Sequence, residues 1–171
     1  MRARRTKMDR WWLLPLLAVG LTALLNRFLF INARVPSGSM EPTIPSGALV
    51  LGNRLAYLRE DPQVGDVVFF RHEEEFGQKI LIKRVMAVGG QVFSIQDGQV
   101  YLDYQPLAEE FAPALPGDSF PHRLVPDGCL MVLGDNRADS NDSRYWADPY
   151  VSQDAVLGRA IFVYFPGFHP L

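Results

Sequence analysis

At 171 residues, 48% of them hydrophobic, the chain has material for one membrane segment and one domain large enough to bury a real core, but not for two full domains. The formal charge of -2 is nearly balanced and no basic stripe crosses the body of the chain, which argues against nucleic acid as a partner. The single cysteine, Cys129, cannot close an internal disulfide, so the domain must be held by its core alone.

Arg2, Arg4, Arg5, Lys7 and Arg10 form a basic tail over residues 1–10. Residues 11–25 are apolar apart from Thr22, and after Asn26 and Arg27 the apolar run resumes from Phe28 to Ile31. Residues 11–31 thus approach the thickness of a bilayer core, with Asp9 placed to cap the helix and Arg27 close enough to its end to snorkel. The charge asymmetry predicts a transmembrane anchor at 11–31, a cytoplasmic N-terminus and an extracytoplasmic domain at 32–171. A cleaved secretory signal shares the basic start and apolar core. Against it, no short core ends in small residues, and aromatics and Arg34 stand where cleavage would fall.

The next segment is Pro36-Ser37-Gly38-Ser39-Met40-Glu41-Pro42-Thr43. Gly38 lets the backbone turn so that a hydroxyl and an amide converge on one carbonyl oxygen, and Ser39 is a candidate nucleophile in need of a neighbouring base. The same string also fits an ordinary turn. Beyond it the body is β-rich, with strand-like runs at 48–51, 66–71, 80–88, 91–95, 99–102, 130–133 and 157–165 separated by Gly, Pro and Asp. The acidic residues 73–75 read as a solvated loop, and Asp97-Gly98 as a hairpin turn. Residues 103–126, with five prolines from Pro106 to Pro126, read as an irregular insertion lying over the sheet.

Within Ile80-Leu81-Ile82-Lys83-Arg84-Val85, strand alternation puts Lys83 on a face with Leu81, Val85 and Ala87, and Arg84 on the other with Ile82 and Met86. A solvated lysine, with a pKa near ~10.4, accepts no proton at neutral pH, whereas burial among apolar neighbours lowers that value and makes a usable base. The alternative is a sheet-edge lysine with its ammonium in water. Cys129, beside residues 130–133, is expected as a buried small hydrophobe. The aromatic run at 161–168 is expected to fill core, and an exposed part of it would suit a lipid surface.

The last informative block is Gly134-Asp135-Asn136-Arg137-Ala138-Asp139-Ser140-Asn141-Asp142-Ser143-Arg144. With it the chain resembles the bacterial type I signal peptidases, serine/lysine proteases of the S26 family that remove signal peptides from exported proteins. Four blocks carry the resemblance, in order: residues 36–43, Gly65-Asp66-Val67-Val68-Phe69, Lys83-Arg84-Val85, and residues 134–144 followed by Tyr145-Trp146. It implies an all-β fold of antiparallel sheets. It also implies that Ser39 is the acylating nucleophile and Lys83 its general base, that Ser37 and the Ser39 amide form the oxyanion hole, and that Ser140 orients the Lys83 amine. Asp135, Arg137, Asp142 and Arg144 resemble the charge network that holds this loop against the nucleophile turn. Lysine at 83 favours the bacterial branch, since the endoplasmic-reticulum relatives use histidine there.

The resemblance further implies small residues, typically alanine, one and three positions before the cut, in a peptide bound as an added strand. Val35, Pro36, Met40, Leu81 and Ile82 flank the pair and are candidate pocket walls. No cofactor is implied, and no metal-type spacing of His or Cys occurs. The expected partners are preprotein signal peptides and the lipid bilayer, with the protein a monomer in a bacterial plasma membrane and its catalytic domain on the outer face. Two departures are visible: Ala138 and Asp139 stand where the family usually has aspartate and asparagine, and Ala87-Val88-Gly89-Gly90-Gln91 replaces its usual Gly-x-Pro-Gly-Asp. A Ser-His-Asp hydrolase using His72, His122 or His169 is the nearest mechanistic rival. A soluble self-cleaving repressor protease and a non-catalytic membrane-anchored binding domain are the others.

Overall fold

The computed structural model describes residues 10–74 and 77–171. Arg2, Arg4, Arg5, Lys7, the Asp9 cap and Glu75 lie outside the described residues. A 3-10 turn, Arg10–Trp12, leads into helix α1, Leu13–Leu29, whose leucine and alanine content favours helix and whose Pro15 falls in the first turn, where a missing N–H is tolerated. None of its residues is buried. Among the described residues no helix is long and apolar enough to cross a membrane, and the 17 residues of α1 rise only about 25 Å. The apolar segment expected at 11–31 is shortened at its end, because Phe30 and Ile31 leave the helix for strand β1, Phe30–Arg34. Their backbone pairs with β2, Leu49–Asn53, and Ile31 enters the core.

The remaining strands are β3 (Val67–Glu74), β4 (Gly77–Val88), β5 (Val92–Gln96), β6 (Gln99–Leu102), β7 (Gln105–Pro106), β8 (Phe120–Leu124), β9 (Cys129–Leu133), β10 (Tyr150–Ser152), β11 (Val156–Phe165) and β12 (His169–Pro170). The large sheet has the order β1-β2-β11-β3-β4-β9-β10, with β12 paired to β11, and the small sheet has the order β7-β6-β5-β8. Every pairing is antiparallel, in line with the expected all-β class.

Several expectations need correcting. Glu73 and Glu74 belong to β3, where they pair with Gln78 and Gly77 of β4. The 103–126 insertion contains β7 and β8; Pro121 is tolerated because β8 is the edge of its sheet. A bulge between Val85 and Ala87 interrupts the alternation, so Ala87 joins Met86 in the core under the small sheet, while Val85 packs with Val68, Phe70 and, in part, Leu81. Cys129 is half-buried against that same core. In the C-terminal run Val163 is fully buried, whereas Phe165 and Phe168 are exposed.

Two strand edges prepare the site. Among the described residues β1 pairs only with β2, and the Gly77–Lys83 stretch of β4 pairs only with β3, because β9 joins β4 from Arg84 onward.

Candidate active site

A cavity of about 630 Å³ lies between those two edges, lined by residues 31–39 on one side and residues 79–83 on the other. Phe69 lies in its wall, and Asp139, Asn141 and Trp146 complete it from the 134–146 region. Ser39 and Lys83, 44 positions apart in sequence (83 − 39), both open into it. Val35, Pro36, Leu81 and Ile82 line it. Met40 does not: it is fully buried in the core behind the turn. It anchors the turn from within, and its carbonyl accepts the Ile44 N–H at 2.8 Å.

The Ser39 turn is held mainly through its backbone. Glu41 N–H donates to the Gly38 carbonyl at 3.0 Å, closing the turn. Asn136 then grips it from the facing loop, its N–H donating to the Ser39 carbonyl at 3.1 Å and its Nδ2 to the Gly38 carbonyl at 3.1 Å. Gly134 allows this approach, since a Cβ there would meet the Ser39 carbonyl oxygen at 2.4 Å and Ser140 Oγ at 2.2 Å. The Ser39 hydroxyl lies 3.3 Å from the Ser37 hydroxyl.

Lys83 is buried, with 3% of its surface exposed, and its Nζ donates to Ser140 Oγ at 3.0 Å. Burial pulls its pKa from 10.5 down to about 8, with the Asp142 carboxylate opposing that pull. Ser140 in turn donates to Asp142 Oδ2 at 2.6 Å, which leaves its lone pairs for the lysine. Asp142 also takes the Gly134 N–H at 3.0 Å and two nitrogens of Arg144, at 2.8 and 2.9 Å. Burial disfavours the Arg144 charge, but hydrogen bonds and charge from Asp142, and then from Asp118, outweigh it and push its pKa up.

The four charged residues expected to form one network behave differently. Asp142 and Arg144 pair with each other, while Asp135 pairs with Arg84 through two bonds of 2.9 and 2.7 Å. Arg84 also donates to the Gly65 carbonyl at 2.8 Å and lies 4.0 Å from the centre of the Phe111 ring, so it ties three of the sequence blocks together. Arg137 pairs with Glu109 and donates to the Gly134 carbonyl at 3.1 Å. The contact with the Ser39 turn comes from Asn136, an uncharged residue with no signal in the sequence. Arg84, Glu109 and Asp118 are likewise absent from the sequence-derived site, and only Arg84, next to Lys83, carries a positional signal.

The histidines are placed elsewhere. His72 stacks on Trp146 with ring centres 3.9 Å apart, His122 stacks on Tyr104, and His169 Nε2 lies 2.9 Å from the Thr43 carbonyl. None lines the cavity. Among the described residues no group of three His, Cys, Asp or Glu side chains is arranged to hold a metal ion.

Comparison with known proteins finds that the family described as signal peptidase, peptidase S26, matches residues 8–165. The probable signal peptidase I-1 of Synechocystis sp. is 41% identical over 162 residues, covering 90% of this chain and 81% of the relative. The signal peptidase I of Leptolyngbya laminosa is 30% identical over 174 residues, covering 96% and 85%. Among solved structures, a signal peptidase I from Enterococcus faecalis aligns with a TM-score of 0.48 at 25% identity, over 58% of this chain and 97% of that one.

Proposed function

The chain belongs to the signal peptidase family, peptidase S26, and is a serine protease hydrolase; from that premise we propose that it cleaves signal peptides from exported preproteins with Ser39 as nucleophile and Lys83 as general base. The observation that carries this reading is a lysine with 3% exposure, its amine pinned by Ser140, in the same cavity as a serine on a tight turn. A lysine with a pKa near 8 is partly neutral at working pH and can take the Ser39 proton. Ser39 Oγ then attacks the scissile carbonyl, and the oxyanion is met by the Ser39 N–H and the Ser37 hydroxyl. The ammonium formed at Lys83 gives its proton to the leaving amine, which releases the mature protein and leaves an acyl-enzyme on Ser39. In the second half Lys83 deprotonates water, which attacks the ester and frees the signal peptide. The Ser39 hydroxyl lies against that of Ser37, and the Lys83 amine bonds Ser140, with both groups facing the same cavity.

The substrate enters as an extended strand between the free edges of β1 and the Gly77–Lys83 stretch of β4, with small side chains one and three residues before the cut facing Val35, Leu81 and Ile82. The enzyme works at a bilayer held by α1, as a monomer, in a bacterial plasma membrane with its catalytic domain outside. Support for the membrane comes from α1 itself, which buries nothing and exposes Leu14, Leu16, Leu17 and Val19. At about 25 Å it calls for a bilayer thinned by a few ångströms or for help from the Trp11-Trp12 turn. Exposed Phe165 and Phe168 add an apolar surface on the domain. The test is incubation of a preprotein with wild type and with Ser39→Ala: the variant should leave it uncut, and cleavage at the wild-type rate would remove Ser39 from the reaction.

A further inference from the structure

The insertion at 103–126 grips the loop that orients the base at two ion pairs, and the two are not equivalent. Glu109 holds Arg137, whereas Asp118 takes Arg144 Nη1 at 2.6 Å. The small sheet sets the place of Asp118: the Gly98 N–H in the β5–β6 turn donates to the Asp118 carbonyl at 2.8 Å, and Asp97 Oδ1 accepts the Gly117 N–H at 2.8 Å. Gly98 has φ +82, and a Cβ there would strike the Leu115 carbonyl oxygen at 2.3 Å, so the turn and the insertion are fitted closely.

From Asp118 the hydrogen bonds run on without a gap. The other edge of the Arg144 guanidinium lies along Asp142, Asp142 takes the single proton of Ser140, and Ser140 is thereby left to accept from Lys83 Nζ. A guanidinium held on two sides by carboxylates cannot tilt, and the carboxylate that it faces cannot rotate away from Ser140. We propose that Asp118 is a positioning residue for the general base, and that through the Arg144–Asp142–Ser140 chain the small sheet and its insertion set the orientation of the Lys83 amine. The proposal rests on the Ser39/Lys83 reading. The charged groups acting on Lys83 are Asp142, Arg144, Asp135 and Asp139 from the loop, with Arg84 beside it on β4 bound to Asp135. Of the two insertion acids in these ion pairs, Glu109 pairs with the Arg137 side chain and reaches Arg144 only through the Arg137 backbone carbonyl, which accepts from Arg144 Nη2 at 3.0 Å, whereas Asp118 bonds the Arg144 guanidinium directly.

Asp118→Asn keeps the shape and removes the charge. It should lower kcat about tenfold with KM little changed. With Arg144 no longer balanced on that side, the acid limb of the rate profile should also move to lower pH. The Lys83 titration, followed by NMR in Ser39→Ala protein, should move the same way without any turnover. That background separates the two ideas, because failure of the nucleophile reading appears as cleavage by Ser39→Ala itself. Glu109→Gln loosens the same insertion through Arg137; it should lower Tm comparably and leave the titration in place. Asp118→Glu keeps the charge on a longer arm and covers the case in which the asparagine variant does not fold: its titration should match wild type, with kcat reduced to about a third. Wild-type kcat in Asp118→Glu overturns the proposal. So does a wild-type titration in Asp118→Asn, or an equal displacement in Glu109→Gln.

Discussion

The two halves of the site are built by different means. Ser39 sits half-exposed on a turn closed by backbone hydrogen bonds, with one 3.3 Å hydroxyl contact and Asn136 as its outside support. Lys83 is buried under Ser140 and the Asp142–Arg144 pair, and among the described residues no buried side-chain N or O atom lacks a partner. Under the proposed Ser39/Lys83 mechanism, the contrast follows from what each group must do. A nucleophile has to be reachable by a peptide, and a turn gives that at little cost. A base has to be uncharged at a pH where lysine is normally protonated, which takes desolvation, and a desolvated amine needs an oriented polar partner.

The sharpest way to break this contrast is at Lys83. Lys83→Met, similar in length and neutral, should reduce cleavage to background while folding at least as well as wild type. The displacement from 10.5 to about 8 amounts to about 3 kcal/mol at ~1.36 kcal/mol per tenfold. Because the folded-state pKa lies below the unfolded one, the wild-type domain carries this unfavourable term in full below pH 8. It fades as pH climbs through 8 toward 10.5. Denaturant titrations should therefore show the variant's advantage near neutrality and its disappearance above that window. A methionine variant less stable than wild type at pH 7 would mean that the buried amine is better solvated than its surroundings indicate.

On the nucleophile side the effect is smaller, because the backbone carries part of the work. Ser37→Ala removes one oxyanion donor and leaves the Ser39 amide, so kcat should fall by about 10²–10³, or about 2.7 to 4 kcal/mol, with the acid limb unchanged. Measured kcat/KM against pH for this variant and wild type gives both quantities. A loss equal to that of Lys83→Met would make Ser37 more than a donor.

These differences also decide what could be read in advance. Ser39 and Lys83 stood out as a turn serine and a strand lysine with apolar neighbours, but their meeting depends on two free strand edges that no local pattern announces. β4 was legible from its β-branched run. β1 was not, because Phe30 and Ile31 continue the apolar composition of α1 and only pairing with β2 turns them into strand. β8 was masked by Pro121, which an edge position forgives. Asp118, Glu109 and Arg84 stayed hidden for a different reason: their partners lie 26, 28 and 51 residues away, and charge alone does not say which acid will find which base.

The mildest test lies at the far end of the nucleophile turn. β12 adds to β11 through Pro170 opposite Phe162 and His169 opposite Val163, which carries the His169 ring to the Thr43 carbonyl at 2.9 Å, four residues after Ser39. Leu171 packs against the same core as Met40 and Ile44. The tail thus closes over the turn from outside while Met40 pins it from within. The ring nitrogen that faces the carbonyl donates the proton of this contact. His169→Ala should then cost about 0.5 to 1.5 kcal/mol, the worth of one neutral hydrogen bond, with kcat reduced a few-fold at every pH. His169→Gln, which keeps a donor on a side chain of similar reach, should recover most of it. Thermal melts and kcat/KM profiles of the two variants decide the matter. If the acid limb disappears in His169→Ala while the Lys83 titration is unchanged, the base is the histidine, and the division between an exposed nucleophile and a buried, charge-held base fails.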